Sequence, residues 1–136
     1  MPRNILPKDE REAAVARAVQ SALHVDDLQP AYRDLHARGG CDRYTGHCFV
    51  ATNAFWHMMG ARNGPYRPRQ VGVGNVSHWF LVDTRDGAIV DLTASQFGRT
   101  RVPYEEGRGV GMQGPARDTL PTGRARAVLE RLGWYA

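Results

Sequence analysis

The chain has 136 residues, enough for one domain with a single modest core and too few for two. Hydrophobic residues make up 42% and charged residues 24%, which excludes disordered, low-complexity and fibrous classes. The formal charge is +4, but the basic residues are scattered arginines with one lysine, Lys8, and no nucleic-acid-binding motif accompanies them. A nucleic-acid partner thus rests on basicity alone, which is weak evidence, and no motif supports it. No apolar run reaches membrane-helix length and the first ten residues lack the apolar stretch of a secretory signal, so a cytoplasmic protein with no membrane partner is expected. Cys41 and Cys48, seven positions apart in such a chain, are expected to be free thiols.

From Lys8 to His24, Ala14, Val15, Ala18, Val19, Ala22 and Leu23 recur with helical period and predict an amphipathic helix. A second short helix should begin near Asp26 or Asp27, hold Pro30 in its first turn and stop at Gly39-Gly40. Residues 40–47 read as a polar loop. Cys48 to Met59 then reads as a helix ended by Gly60, apolar on nearly every side and so enclosed, with Trp56, Met58 and Met59 in the core. Gly64 to Pro68 reads as a linker, followed by strands at Gln70–Gly74, Val76–Asp83 and Ala88–Thr93, the last two joined by an Asp86-Gly87 hairpin turn. Residues 98–121, rich in Gly, Arg and Pro, predict a long irregular loop. A final helix from about Gly123 to Leu132 should turn Ala127, Val128 and Leu132 inward. Helices first, then an antiparallel sheet, then a closing helix define an α+β domain.

Chemistry concentrates on the cysteines and five histidines. A thiol attacks as thiolate, and a helix N-terminus favours negative charge, so Cys48 is the better placed nucleophile and Cys41, in the preceding loop, the poorer one. Its base must come from elsewhere in the chain. His57 lies about 13 Å along the same helix at 1.5 Å per residue and cannot reach. His24 and His36 read as exposed or capping residues of the first two helices. The His47 side chain diverges from that of its neighbour Cys48 on a helix. His78, on a strand and followed by Trp79, remains. A third polar group should orient its ring, and Asp91 on the next strand is the natural one, with Thr93 and Gln96 as substitutes. A two-residue turn at Asp86-Gly87 would pair Asp91 with Val82, on the face of His78 but four residues away, roughly 13 Å. Direct contact then requires a bulge or a wider loop. Cys41, His47, Cys48 and His78 are also a conceivable metal quartet, but their spacing matches no usual zinc pattern, and no metal or other cofactor is expected.

Gly46-His47-Cys48 entering a helix, Ser77-His78-Trp79 on a strand and Asp91-Leu92-Thr93 on the next resemble the Cys, His, Asp order of papain-like cysteine enzymes of the transglutaminase-like branch. In that branch the strands commonly carry His-x-Trp and Asp-Pro-Thr; here the spacing is one residue tighter and the proline is absent. Residues 46–51, 77–81 and 91–97 also resemble segments of small actinobacterial phage proteins, which implies a host-cytoplasmic setting. The resemblance spans roughly residues 39–132. It implies a papain-like core with Cys48 as nucleophile, His78 as base and Asp91 as orienting acid, acting on a peptide, isopeptide or glutamine amide through an acyl-enzyme. Hydrolysis and amine transfer share that first half and stay undivided. Backbone N–H groups of Cys48 and of the Tyr44–His47 loop are expected to hold the oxyanion. Tyr44, His47, Trp79 and Gln96 are expected to contact substrate, and the arginines of the late loop, Arg99 to Arg117, to border the cleft. The alternative is a non-catalytic phage protein that uses the same scaffold to bind a host protein or nucleic acid.

Overall fold

A computed structural model describes residues 3–109, 112 and 120–134. Its elements follow in chain order: α1 (Glu10–Ala22), α2 (Pro30–Arg38), α3 (Cys48–Met58), β1 (Tyr66–Val73), β2 (Val76–Asp83), β3 (Ile89–Val90) and α4 (Gly123–Arg131). Four short 3-10 turns, Val25–Asp27, Ala61–Asn63, Ala94–Phe97 and Tyr104–Glu106, join them. The strands form one antiparallel sheet in the order β1-β2-β3, and the protein is α+β. Among the described residues, no helix is long and apolar enough to cross a membrane.

α1 starts where the Asp9 carboxylate accepts the backbone N–H groups of Arg11 and Glu12, satisfying two donors that a helix start leaves unpaired. Its buried stripe is Ala13, Ala16, Val19 and Gln20, continued by Leu23, so the helix is rotated from the expected face and Ala14 is exposed. Two polar attachments fix that rotation. Gln20 Nε2 donates to Leu92 O at 2.9 Å, and Glu12 binds Arg85 and the Tyr66 hydroxyl. α2 begins at Pro30, later than expected, because Val25–Asp27 forms a separate turn capped by His24.

α3 is the enclosed helix its composition demands, with Val50 to His57 all buried between α1, α4 and the sheet. Burial of a side chain such as Phe55 contributes about 1.5–3 kcal/mol. Two hydrogen bonds fix α3 along the strands: Thr52 Oγ1 to Trp79 O at 3.3 Å and Trp56 Nε1 to Tyr66 O at 3.1 Å. The expected linker at 64–68 is instead largely strand, since Tyr66 to Arg69 pair with Asp83 to Phe80. β1 tolerates Pro68 near the sheet margin, where a missing N–H is cheap. In α4 the buried positions are Ala125, Val128 and Leu129, at i, i+3 and i+4, while Ala127 and Leu132 are half-buried.

Alternation along β2 separates two cores. Trp79 and Leu81 join the large core with the helices, whereas Phe80 joins Val71, Val73 and Val102 on the opposite face, covered by Phe97 and Tyr104. Both sheet edges are occupied. Ile5 pairs with Asp91, and Arg108 pairs with Gln70 through two hydrogen bonds of 2.8 and 2.9 Å. Residues 98–109 of the expected irregular segment are thus anchored to β1; 110, 111 and 113–119, with Arg117, lie outside the described residues, as do 1, 2, 135 and 136.

Candidate active site

The hairpin between β2 and β3 sets the geometry. Gly87 N donates to Asp83 O at 2.7 Å and Asp83 N to Ala88 O at 2.8 Å, so four residues, Thr84 to Gly87, make the loop. The expected two-residue turn is therefore corrected: Val82 pairs with Ile89 and Leu81 with Val90. That register shifts by two residues and places Asp91 beside Phe80 instead of Val82. A same-face neighbour two residues away is within side-chain reach, which one four residues away is not.

The contact follows. His78 Nε2 and Asp91 Oδ2 lie 2.6 Å apart, both side chains fully buried. Asp91 Oδ2 also accepts the Tyr104 hydroxyl at 2.7 Å, and Oδ1 accepts Thr93 N at 3.1 Å. The carboxylate is thus held by three donors. Phe97 sets its ring edge-on to His78 at 4.7 Å, and Phe80 stacks at 6.5 Å, so the imidazole is enclosed by aromatic carbon. Thr93 and Gln96 are bound to each other: Gln96 Nε2 donates to Thr93 O and Oγ1, both at 3.1 Å. Of the three residues open for orienting His78, Asp91 is the one in contact.

Cys48 opens α3, whose end has no side-chain cap, and its thiol lies 3.9 Å from Ser77 O, next to His78. The Nδ1 atom of His78 makes no hydrogen bond, yet Cys48 follows Asp91 among the groups that raise the ring's pKa. The thiol therefore lies near enough to act on the ring, and Nδ1, the nitrogen that Asp91 does not engage, is the one left open to it. Burial is the largest single influence on His78 and lowers its pKa. The Asp91 hydrogen bond, Cys48 and the charges of both outweigh it and push the pKa up to about 9. Burial, then the charge and hydrogen bond of Asp91, raise the Tyr104 hydroxyl well above the ordinary tyrosine range, so it stays a donor.

Cys48 borders a cleft of about 600 Å³, together with Trp79 and Gln96. Tyr44 and His47 are not among its walls. His47 turns inward as the residue preceding α3, 2% exposed, where burial pushes its pKa down to about 4. Tyr44 is half-buried and packs against the large core. The 44–47 loop is also corrected as an oxyanion donor, because each of its N–H groups has a partner: Asp42 for Tyr44 and Thr45, Gln96 for Gly46 and the Tyr44 carbonyl for His47. The first turn of α3 remains, since its N–H groups lack intrahelical acceptors. Cys41 and Cys48 are both free, and among the described residues no three His, Cys, Asp or Glu side chains are grouped to hold a metal.

Sequence reasoning missed Tyr104, which lies in a stretch without periodicity, and Tyr32, a cleft residue on α2. No family model matches the chain, and neither curated proteins nor solved structures give a match.

Proposed function

We propose that the chain is a cysteine-dependent hydrolase or acyltransferase of papain-like, transglutaminase-like type, with Cys48, His78 and Asp91 as its triad. The observation that carries this reading is the buried His78–Asp91 pair at 2.6 Å with its open nitrogen next to a thiol at a helix start. Thiol chemistry needs that combination: a thiolate, an imidazolium to stabilise it and donate a proton, and a fixed third group.

In this mechanism the Cys48 sulfur attacks the carbonyl carbon of an amide, and the carbonyl oxygen takes up the electron pair. First-turn N–H groups of α3 stabilise that oxyanion. When the intermediate collapses, the C–N bond breaks and the His78 imidazolium gives its proton to the leaving amine. The acyl group stays on sulfur as a thioester. Water or a second amine, deprotonated by His78, then attacks it and releases Cys48. Asp91 holds the ring through Nε2 and keeps its charged form favourable, without taking the proton.

The test is acylation by p-nitrophenyl acetate followed by intact-protein mass spectrometry. Wild type should gain one acetyl group on Cys48 with release of p-nitrophenol, Cys48→Ala none, and His78→Ala far less per unit time. Equal p-nitrophenol release from wild type and Cys48→Ala would contradict the reading.

A further inference from the structure

We propose that the Cys48 cleft selects an acyl donor that carries negative charge, an acidic peptide segment, and that Arg124 is the residue that selects it. This rests on Cys48 being the nucleophile and adds the class of donor it meets.

Among the described residues, two side chains with formal charge border the cleft, Asp27 and Arg124. The Asp27 side chain is 2% exposed, and the Arg131 guanidinium binds both its oxygens while Oδ2 also accepts His24 N at 2.9 Å. Its charge is cancelled by a partner already in place. Arg124 is the opposite case. It is exposed, the first turn of α4 holds no acidic residue, and among the described residues no carboxylate pairs with it. Among the described residues, the cleft therefore presents one uncompensated cation.

The rest of the wall strengthens that field. Phe49, Val76 and Trp79 supply apolar surface, which screens charge less than water does. Gln29 and Tyr32 also line the cleft, and neither carries a carboxylate. A carboxylate entering here meets a guanidinium fork suited to bidentate binding, whereas an ammonium group meets uncancelled repulsion. Charge complementarity of this kind acts on specificity and encounter rate more than on raw affinity.

Two alkylating reagents of nearly equal size test this without any turnover: iodoacetate, which is anionic, and iodoacetamide, which is neutral. The thiolate displaces iodide from either, so the ratio of their rates at Cys48 reads the local field, and Cys41 in the same molecule supplies the reference ratio. At low ionic strength the iodoacetate-to-iodoacetamide ratio at Cys48 should fall about threefold in Arg124→Gln and about tenfold in Arg124→Glu, because reversal doubles the charge change. Salt of about 0.5 M should remove the difference between variants. An unchanged ratio in Arg124→Glu, with Cys48 still reactive, overturns the selectivity while leaving the nucleophile intact. A Cys48 slower than Cys41 toward both reagents in wild type overturns the nucleophile reading itself, and the donor class falls with it.

Discussion

Replacing Asp91 with Asn removes the charge that holds His78 protonated while keeping the side chain's size. In the wild-type fold the His78 pKa stands at about 9, against an ordinary value of 6.5. A raised folded-state value means that the folded protein keeps a proton the unfolded chain gives up. The contribution to stability is thus complete below pH 6.5 and is lost as pH rises through about 9. The gap corresponds to on the order of 3 kcal/mol at 1.36 kcal/mol per pH unit. His78 and Asp91 are both 0% exposed in their side chains, so solvent screening calls for no discount. In Asp91→Asn, burial, the largest influence on the ring, faces only Cys48, and the His78 pKa should fall below 6.5. Urea denaturation from pH 6 to 9.5 should show stability falling with pH in wild type and, in Asp91→Asn, no such fall above about pH 7, and NMR titration of the ring should show the displaced pKa. A His78 that still titrates near 9 in Asp91→Asn would refute the argument.

Three further outcomes are expected. Tyr104→Phe should cost about 1–2 kcal/mol in urea denaturation through loss of a hydrogen bond to a charged acceptor, and should raise the His78 pKa further, because Asp91 Oδ2 then serves one donor; an unmoved ring titration would deny Tyr104 a positioning role. His47→Gln should flatten the acid limb of stability. The folded pKa of about 4 lies below the unfolded value of 6.5, so stability is lost as pH falls from 6.5 toward 4, and a limb unchanged by the substitution would contradict this. Gly46→Ala should destabilise by about 1–3 kcal/mol in the same assay, since φ is 86° and a Cβ would sit 2.6 Å from Tyr32 Cγ; wild-type stability would overturn the packing account of the loop that leads into α3.

Much of this fold is legible from local pattern. The apolar composition of α3, the β-branched and aromatic residues of β2 ahead of the Asp86-Gly87 turn and the glycine after Met59 each depend on neighbours in sequence, and each places its element within a residue or two. Rotation and register are harder, because distant partners decide them. α1 turns to bury Ala13 and Ala16 because Gln20 and Glu12 bind the Leu92 carbonyl and Arg85, more than 70 residues away. The Asp86-Gly87 signal points to a tight turn, yet Asp86 Oδ1 accepts Ala88 N at 2.9 Å and Asp83 O takes Gly87 N, which stabilises the four-residue loop and moves Asp91 toward His78. At the site, the Cys, His and Asp positions are readable from order and helix or strand placement. Tyr104 is not, because its position depends on the pairing of Arg108 with Gln70 at the far edge of the sheet.

The central claim is that the Cys48 thiol works with a buried, charged imidazole. The rate of iodoacetamide labelling against pH, read by peptide mass spectrometry for wild type, Cys41→Ala, His78→Ala and Cys48→Ala, tests it most directly. At pH 6 a thiol with the ordinary value of about 8.5 is almost wholly protonated and slow. Cys48 is predicted to label much faster than Cys41 at that pH, and to lose the advantage in His78→Ala. A Cys48 that stays inert, or that follows the same pH profile as Cys41 with His78 present or absent, would contradict the account.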